Sequence, residues 1–234
     1  MSSSPSTSGI VRVAIIPAFN EEKRIGSSVR DAMPHVDHVV VVDDCSRDQT
    51  HVVAQAAGAW VLRHPLNRGQ GAALQTGTEF ALRKLNATHL VHFDADGQMQ
   101  GAEIPQQLEP LLLGKADITL GSRFLGKSLN MPNSRKITLK LGLLFTRWVS
   151  GIKLTDTHNG FRALNQKAAR SIVITLDRMA HASEILDQIV VLGLRYQEVP
   201  VTIRYTEETL AKGQSSLGAI RILRDFLGKK LFGN

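Results

Sequence analysis

Short runs of β-branched and other apolar residues, each closed by a polar cluster, set the rhythm of the N-terminal half of the chain. Val11-Arg12-Val13-Ala14-Ile15-Ile16 stops at Pro17, His38-Val39-Val40-Val41-Val42 stops at Asp43-Asp44, and His89-Leu90-Val91-His92-Phe93 stops at Asp94. Near-continuous apolar strands, rather than alternating ones, are what a parallel sheet covered on both faces requires. Ala59-Trp60-Val61-Leu62 reads as a further strand. Between these runs the pattern predicts helices from Glu21 to Met33, from His51 to Ala57 and from Ala72 to about Leu85. Ser46-Arg47-Asp48-Gln49-Thr50 supplies an N-cap for the second, and Gly58 ends it. This strand–helix alternation predicts an α/β fold: a doubly wound, mainly parallel sheet with helices on both faces and ligands at the carboxyl ends of its strands. The polar clusters fall at those ends.

After Asp96 the rhythm loosens. Ile104 to Leu113 predicts a short helix, and Ala116 to Leu120 a strand ending in Gly121-Ser122-Arg123. Ile137, Leu141, Leu144, Phe145 and Trp148 recur at helical spacing in a basic amphipathic helix, 137–149. Thr155 to Arg162 reads as a polar loop, Ala182 to Leu192 as a helix, Tyr196 to Tyr205 as a strand pair or one bent strand, and Leu217 to Leu231 as a closing basic amphipathic helix. There is no internal repeat or linker, so residues 10–234 read as one domain. The Ser-rich Met1–Gly9 reads as a disordered leader without the basic and apolar regions of a signal peptide. No run approaches the roughly 20 apolar residues of a membrane span.

With 234 residues and 43% hydrophobic content, the chain has enough apolar material for a sizeable core. One cysteine, Cys45, rules out an internal disulfide framework and suits a reducing cytoplasm. The net charge of +7 suits phosphate-bearing substrates or an anionic membrane surface. An aromatic content of 5% and the lack of any zinc-finger, RNA-recognition or basic-zipper pattern argue against nucleic acid as a partner.

The candidate chemistry centres on Asp94-Ala95-Asp96. Two carboxylates one residue apart at a strand's carboxyl end are hard oxygen ligands where a divalent cation and a diphosphate can meet. Asp43 and Asp44 can accept hydrogen bonds from ribose hydroxyls or base N–H groups, although Asp44 can equally cap the turn that follows. Arg68, between glycine-flanked loop residues, can offset diphosphate charge. Arg123 and Arg135 can clamp a second phosphate or pair with acids on the surface. Gly69-Gln70-Gly71 does not complete a dinucleotide fingerprint, because Leu74 stands at the third glycine's place and the acidic pair precedes the loop. No G-x-x-x-x-G-K-[ST] is present.

Pro17-Ala18-Phe19-Asn20-Glu21-Glu22, Asp43-Asp44-Cys45-Ser46, Asn67-Arg68-Gly69-Gln70-Gly71, Asp94-Ala95-Asp96-Gly97-Gln98, Gly121-Ser122-Arg123 and Asn159-Gly160-Phe161-Arg162 occur in an order that resembles family 2 glycosyltransferases of the GT-A fold. Within that family the likeness is to the dolichol-phosphate mannose synthase group and its bacterial polyprenyl-phosphate counterparts, over about residues 10 to 220. The resemblance implies that Pro17, Ala18, Asn20, Glu21 and Asp43 hold the nucleotide, joined as donor-site residues by Asp44, Arg68, Gly69, Asp94 and Lys212. It implies that Asp94, Asp96 and Gln98 cradle Mg²⁺ or Mn²⁺, and that Arg123 and Arg135 meet the acceptor phosphate. Lys212-Gly213-Gln214-Ser215-Ser216 resembles a mobile loop over the donor phosphates. Gln70 stands where lysine is common, and the segments around His181 and Asp156 also depart from the mannose synthases.

The expected reaction is inverting, metal-dependent transfer of a hexose from a UDP- or GDP-sugar to a polyprenyl phosphate. Asp96, Arg123, Arg135 and Glu184 are its expected catalytic residues. The alternative is transfer to a sugar hydroxyl, which needs a base, for which Asp156, Glu184 and His181 are candidates. Peripheral association with the inner face of the cytoplasmic membrane is expected, through the basic amphipathic stretches or a small membrane-protein subunit, although both stretches can instead cover the sheet.

Overall fold

A computed structural model describes residues 9–129, 154–156, 159–176 and 180–204. The strands are β1 (Arg12–Ala18), β2 (His38–Asp43), β3 (Trp60–Arg63), β4 (His89–His92), β5 (Ile118–Leu129), β6 (Arg162–Asn165) and β7 (Tyr196–Arg204). They form one seven-stranded sheet in the order β3-β2-β1-β4-β6-β5-β7. Every neighbouring pair is parallel except those involving β6, which runs antiparallel to β4 and β5. The helices are α1 (Ile25–Ala32), α2 (Thr50–Ala56), α3 (Gln70–Lys84), α4 (Ile104–Leu112), α5 (Gln166–Ser171) and α6 (His181–Val191).

The continuous apolar runs become strands buried on both faces, as the pattern requires. Ala14 and Ile16 of β1 and Val39 and Val41 of β2 point into a core shared with Ile25 and Val29 of α1, Ala54 of α2 and Leu108 of α4. Val13, Ile15, Val40 and Val42 point the other way, against Ala73 and Leu74 of α3, Ala168 of α5 and Ile185 and Ile189 of α6. Each fully buried Val or Ile contributes about 1.5–3 kcal/mol. At Gly77 α3 meets β1 so closely that a Cβ would lie 2.4 Å from Ile15 Cγ2.

Several expected boundaries move. Helix α1 starts at Ile25 rather than Glu21, because residues 21–24 are spent on turn contacts between loops. Strand β5 runs on to Leu129, pairing with β7 on both sides of an irregularity between Ser122 and Lys127, so Arg123 lies within a strand and not after one. Tyr196–Arg204 is a single strand. Strand β6 and helix α5 were not expected, and β6 takes the end of what reads as a polar loop. The stretches 137–149 and 217–231 and the leader residues 1–8 lie outside the described residues. Among the described residues no helix is long and apolar enough to cross a membrane.

Candidate active site

The carboxyl ends of β1, β2 and β4 lie side by side and carry the loops that form the site. The β1–α1 loop is laced to the β2–α2 loop: Asn20 N donates to Ser46 Oγ at 2.9 Å, Arg47 N to Asn20 Oδ1 at 2.9 Å and Glu21 N to Thr50 Oγ1 at 2.8 Å. Asn20 sits at φ +54°, in the left-handed region that asparagine tolerates best among side-chain-bearing residues. Pro17 and Ala18 pair in register with Val42 and Asp43. The Glu21 carboxylate is engaged by Arg24 at 2.5 Å. Asp43 is fully buried; its Oδ1 accepts from Ser46 N at 2.9 Å. Its Oδ2 makes no hydrogen bond and lies at ion-pair distance from Arg63 Nε, 3.2 Å, and His51 Nδ1, 3.7 Å.

Asp44 organises the next loop. Its Oδ1 accepts from Arg68 N at 2.9 Å and faces His64 Nδ1 at 2.7 Å, while its Oδ2 accepts from Gly69 N at 2.6 Å. His64 Nε2 in turn meets Thr76 Oγ1 of α3 at 3.0 Å. Of the two roles open to Asp44, the structure therefore shows the turn-holding one, applied to the Arg68-Gly69 turn that enters α3. Gly69 has φ +93°, which a side chain would resist. The Arg68 side chain is exposed and lines an open cavity of about 520 Å³ along α3, with Leu62, Phe80 and Ile174.

Asp94 and Asp96 follow β4. Asp94 Oδ1 accepts from Gln70 Nε2 at 3.0 Å, its backbone N–H points at Met99 Sδ, and Asp96 Oδ1 accepts from Gln98 N at 3.0 Å. Burial, followed by the charge of Asp96, pushes the Asp94 carboxyl up to about 7; Arg162 and the Gln70 amide oppose the rise. A carboxylate pair disfavoured by its own surroundings is chemically suited to a hard divalent cation. Among the described residues no three His, Cys, Asp or Glu side chains are arranged to hold a metal by themselves. Asp94 and Asp96 thus offer two carboxylates, few enough to suit an ion such as Mg²⁺ that takes one or two carboxylates together with phosphate oxygens.

The neighbouring strands carry a buried ionic network. Arg123 forms a two-pronged pair with Asp156, Nε to Oδ2 at 2.7 Å and NH2 to Oδ1 at 2.9 Å, with side chains 7% and 1% exposed. Arg123 was expected to meet an acceptor phosphate or a surface acid; its fork is committed to a buried one. Glu184 was expected near the chemistry, but its carboxylate accepts from Thr175 N, Leu176 N and Thr175 Oγ1 and anchors the loop before α6. Arg135 and Lys212 lie outside the described residues.

A family model for glycosyl transferase family 2 matches residues 13–173. The chain belongs to that family. This glycosyltransferase is 33% identical over 221 residues to the undecaprenyl-phosphate mannosyltransferase of Micrococcus luteus, with 89% of this chain and 88% of the relative covered. It is 29% identical over 242 residues to the UDP-N-acetylglucosamine–dolichyl-phosphate N-acetylglucosaminyltransferase of Methanococcus voltae, covering 93% and 95%. Glucosyl-3-phosphoglycerate synthase of Mycobacterium tuberculosis, crystallised with Mn²⁺, UDP-glucose and phosphoglyceric acid, superposes with a TM-score of 0.71 at 22% identity, covering 92% of this chain and 79% of that one. That likeness establishes the GT-A fold.

The candidate site also contains groups to which the sequence reading gave no role. Gln70, read only as a departure, holds Asp94. Arg162 opens β6 at 2% exposure, directly opposite His92 in the antiparallel register. Burial pulls its pKa down to about 10, against the opposing pull of Asp94 and Asp156. His92 is buried with both ring nitrogens lacking a hydrogen-bond partner, and burial, Arg162 and His181 hold it neutral, down to about 3. The available signal was polar residues, His92 and Arg162, where a buried strand should be apolar.

Proposed function

We propose that this glycosyltransferase moves a hexose from a UDP- or GDP-sugar to a polyprenyl phosphate, with inversion at the anomeric carbon. An oxygen of the acceptor phosphate forms the new bond to the anomeric carbon as the bond to the nucleoside diphosphate breaks, and the bonding electrons leave with the diphosphate. A phosphate monoester with its second pKa near 6 is largely ionised at neutral pH, so no base is required.

The observation that carries this reading is the engagement of the three candidate bases, Asp156, Glu184 and His181. Asp156 is locked by Arg123 and Glu184 by the 175–176 turn, while His181 is buried and not free. A hydroxyl acceptor would need one of them released; a phosphate needs none. The named activities of the relatives from M. luteus and M. voltae point to the same acceptor class.

Pro17, Ala18, Asn20, Glu21 and Asp43 would line the nucleotide site, with the buried Asp43 holding the Ser46 turn beneath it. Asp44 and Gly69 would shape the loop beneath the diphosphate. Asp94, Asp96 and Gln98 would hold Mg²⁺ or Mn²⁺, which when bound neutralises charge on the leaving diphosphate. Arg135 and Lys212 remain candidates for the acceptor and donor phosphates, and Arg123 would act by ordering Asp156 and its loop. We place the enzyme peripherally at the cytoplasmic face of the membrane, docked through its basic stretches or a small membrane subunit; failure to float with anionic vesicles and native membranes alike would exclude this. Incubating radiolabelled UDP- and GDP-sugars with polyprenyl phosphate and Mn²⁺ tests the activity. Label in the organic phase, lost in Asp96→Ala, supports it; label confined to water-soluble glycan replaces it with hydroxyl transfer.

A further inference from the structure

We infer that Arg162 is the resident counter-ion of the Asp94–Asp96 pair, holding the site together without metal and setting how tightly a divalent cation binds. This rests on the reading of Asp94 and Asp96 as metal ligands.

The strand register supplies the geometry. Arg162 faces His92 across the β4–β6 ladder, and Asp94 lies two residues beyond His92. Gly160, two residues before Arg162, packs so closely on Asp94 that a Cβ there would lie 2.8 Å from its Oδ2. Arg162 therefore sits on the strand beside β4, two residues along from the glycine that packs on Asp94, and its charge acts on Asp94. It is 2% exposed, and its NH1 has no hydrogen-bond partner. An arginine buried this deeply and bonded this incompletely is costly unless its charge has a use.

Among the described residues, Arg162 and Arg123 are the cations whose charge acts on Asp94, and Arg162 is the larger of the two effects. Gln70, which bonds Asp94 from α3, is neutral, and the Arg123 fork is taken by Asp156. His92 and His181 are buried on the same side; neither ring nitrogen of His92 has a partner, and His181 is not free. Removing Arg162 makes the site one unit charge more negative, both before and after a divalent cation binds. Arg162 thus makes the metal-free site less repulsive and the loaded site less favourable, which keeps the cation exchangeable.

The test measures Mn²⁺ alone binding to the full chain at neutral pH, by calorimetry and by the Mn²⁺ electron paramagnetic resonance signal, with thermal melts in EDTA and in Mn²⁺. Arg162→Met should bind Mn²⁺ at least about tenfold more tightly, as expected for one unit charge removed near a divalent ion in a poorly solvated site. It should also melt lower than wild type in EDTA and gain more from Mn²⁺. Arg162→Lys, which keeps the charge, should stay near wild type. Should Arg162→Met fold only with Mn²⁺ present, the EDTA concentration that strips the ion should be higher than for wild type. Unchanged or weaker Mn²⁺ binding in Arg162→Met, or equal tightening in Arg162→Lys, overturns the inference. Wild-type binding that Asp96→Ala abolishes, with no tightening in Arg162→Met, defeats this inference alone; no wild-type Mn²⁺ binding, either alone or with UDP or GDP added, defeats the metal site as well.

Discussion

Replacing Asp156 by Asn should cost this protein about 3–5 kcal/mol of stability. The magnitude follows from burial: the Arg123 and Asp156 side chains are 7% and 1% exposed, and the Arg123 backbone N–H adds a third bond to Asp156 Oδ2 at 3.1 Å. An ion pair on the surface would contribute about 0–1 kcal/mol, but removing one partner here takes the two-pronged carboxylate from a buried guanidinium. Urea unfolding should show a lower midpoint at an unchanged slope. The double variant Arg123→Met/Asp156→Leu should recover most of the loss, because it leaves no charge unpaired. A loss below about 1 kcal/mol in Asp156→Asn would mean that the fork is not committed to Asp156 and is free to serve the acceptor phosphate.

Other outcomes follow from the same geometry. Asp94, pushed up to about 7, must release a proton when metal binds, so Mn²⁺ affinity should rise about tenfold per pH unit between pH 5 and 7 and then level off; a flat calorimetric profile contradicts this. In EDTA, the native state holds that proton more tightly than the unfolded chain, where the group returns to its ordinary value of 3.8. The melting temperature should therefore fall as pH rises from 5 to 8, and Mn²⁺ should reverse the trend. Gly160→Ala puts a Cβ 2.8 Å from Asp94 Oδ2 and should weaken Mn²⁺ binding at least about tenfold. His64→Ala removes the bridge between Thr76 and Asp44 and should raise the donor KM about tenfold with a smaller change in kcat; an unchanged KM would show that the Arg68-Gly69 turn holds without it.

The parallel half of the fold was legible because its strands are uninterrupted apolar runs, and their polar ends mark where the candidate site lies. The antiparallel insertion was hidden. Arg162-Ala163-Leu164-Asn165 is short and begins with a charge, so it reads as the tail of a polar loop until Asp94 and Asp156 are seen around it. Helix α5 had a visible signal in Asn165, whose Oδ1 caps Ala168 N at 2.9 Å. The roles of Arg123, Asp44 and Glu184 could not be read from local pattern, because each is decided by partners 8 to 33 residues away in the chain.

The most direct test of the account compares two acceptors that differ only at the reacting group. With the preferred nucleotide-sugar and Mn²⁺, wild-type enzyme should transfer label to a polyprenyl phosphate and none to the matching polyprenol, and Asp96→Ala should transfer to neither. Equal transfer to polyprenol, or transfer to phosphate that survives Asp96→Ala, would contradict an acceptor that is ionised without a base and a reaction centred on the two carboxylates.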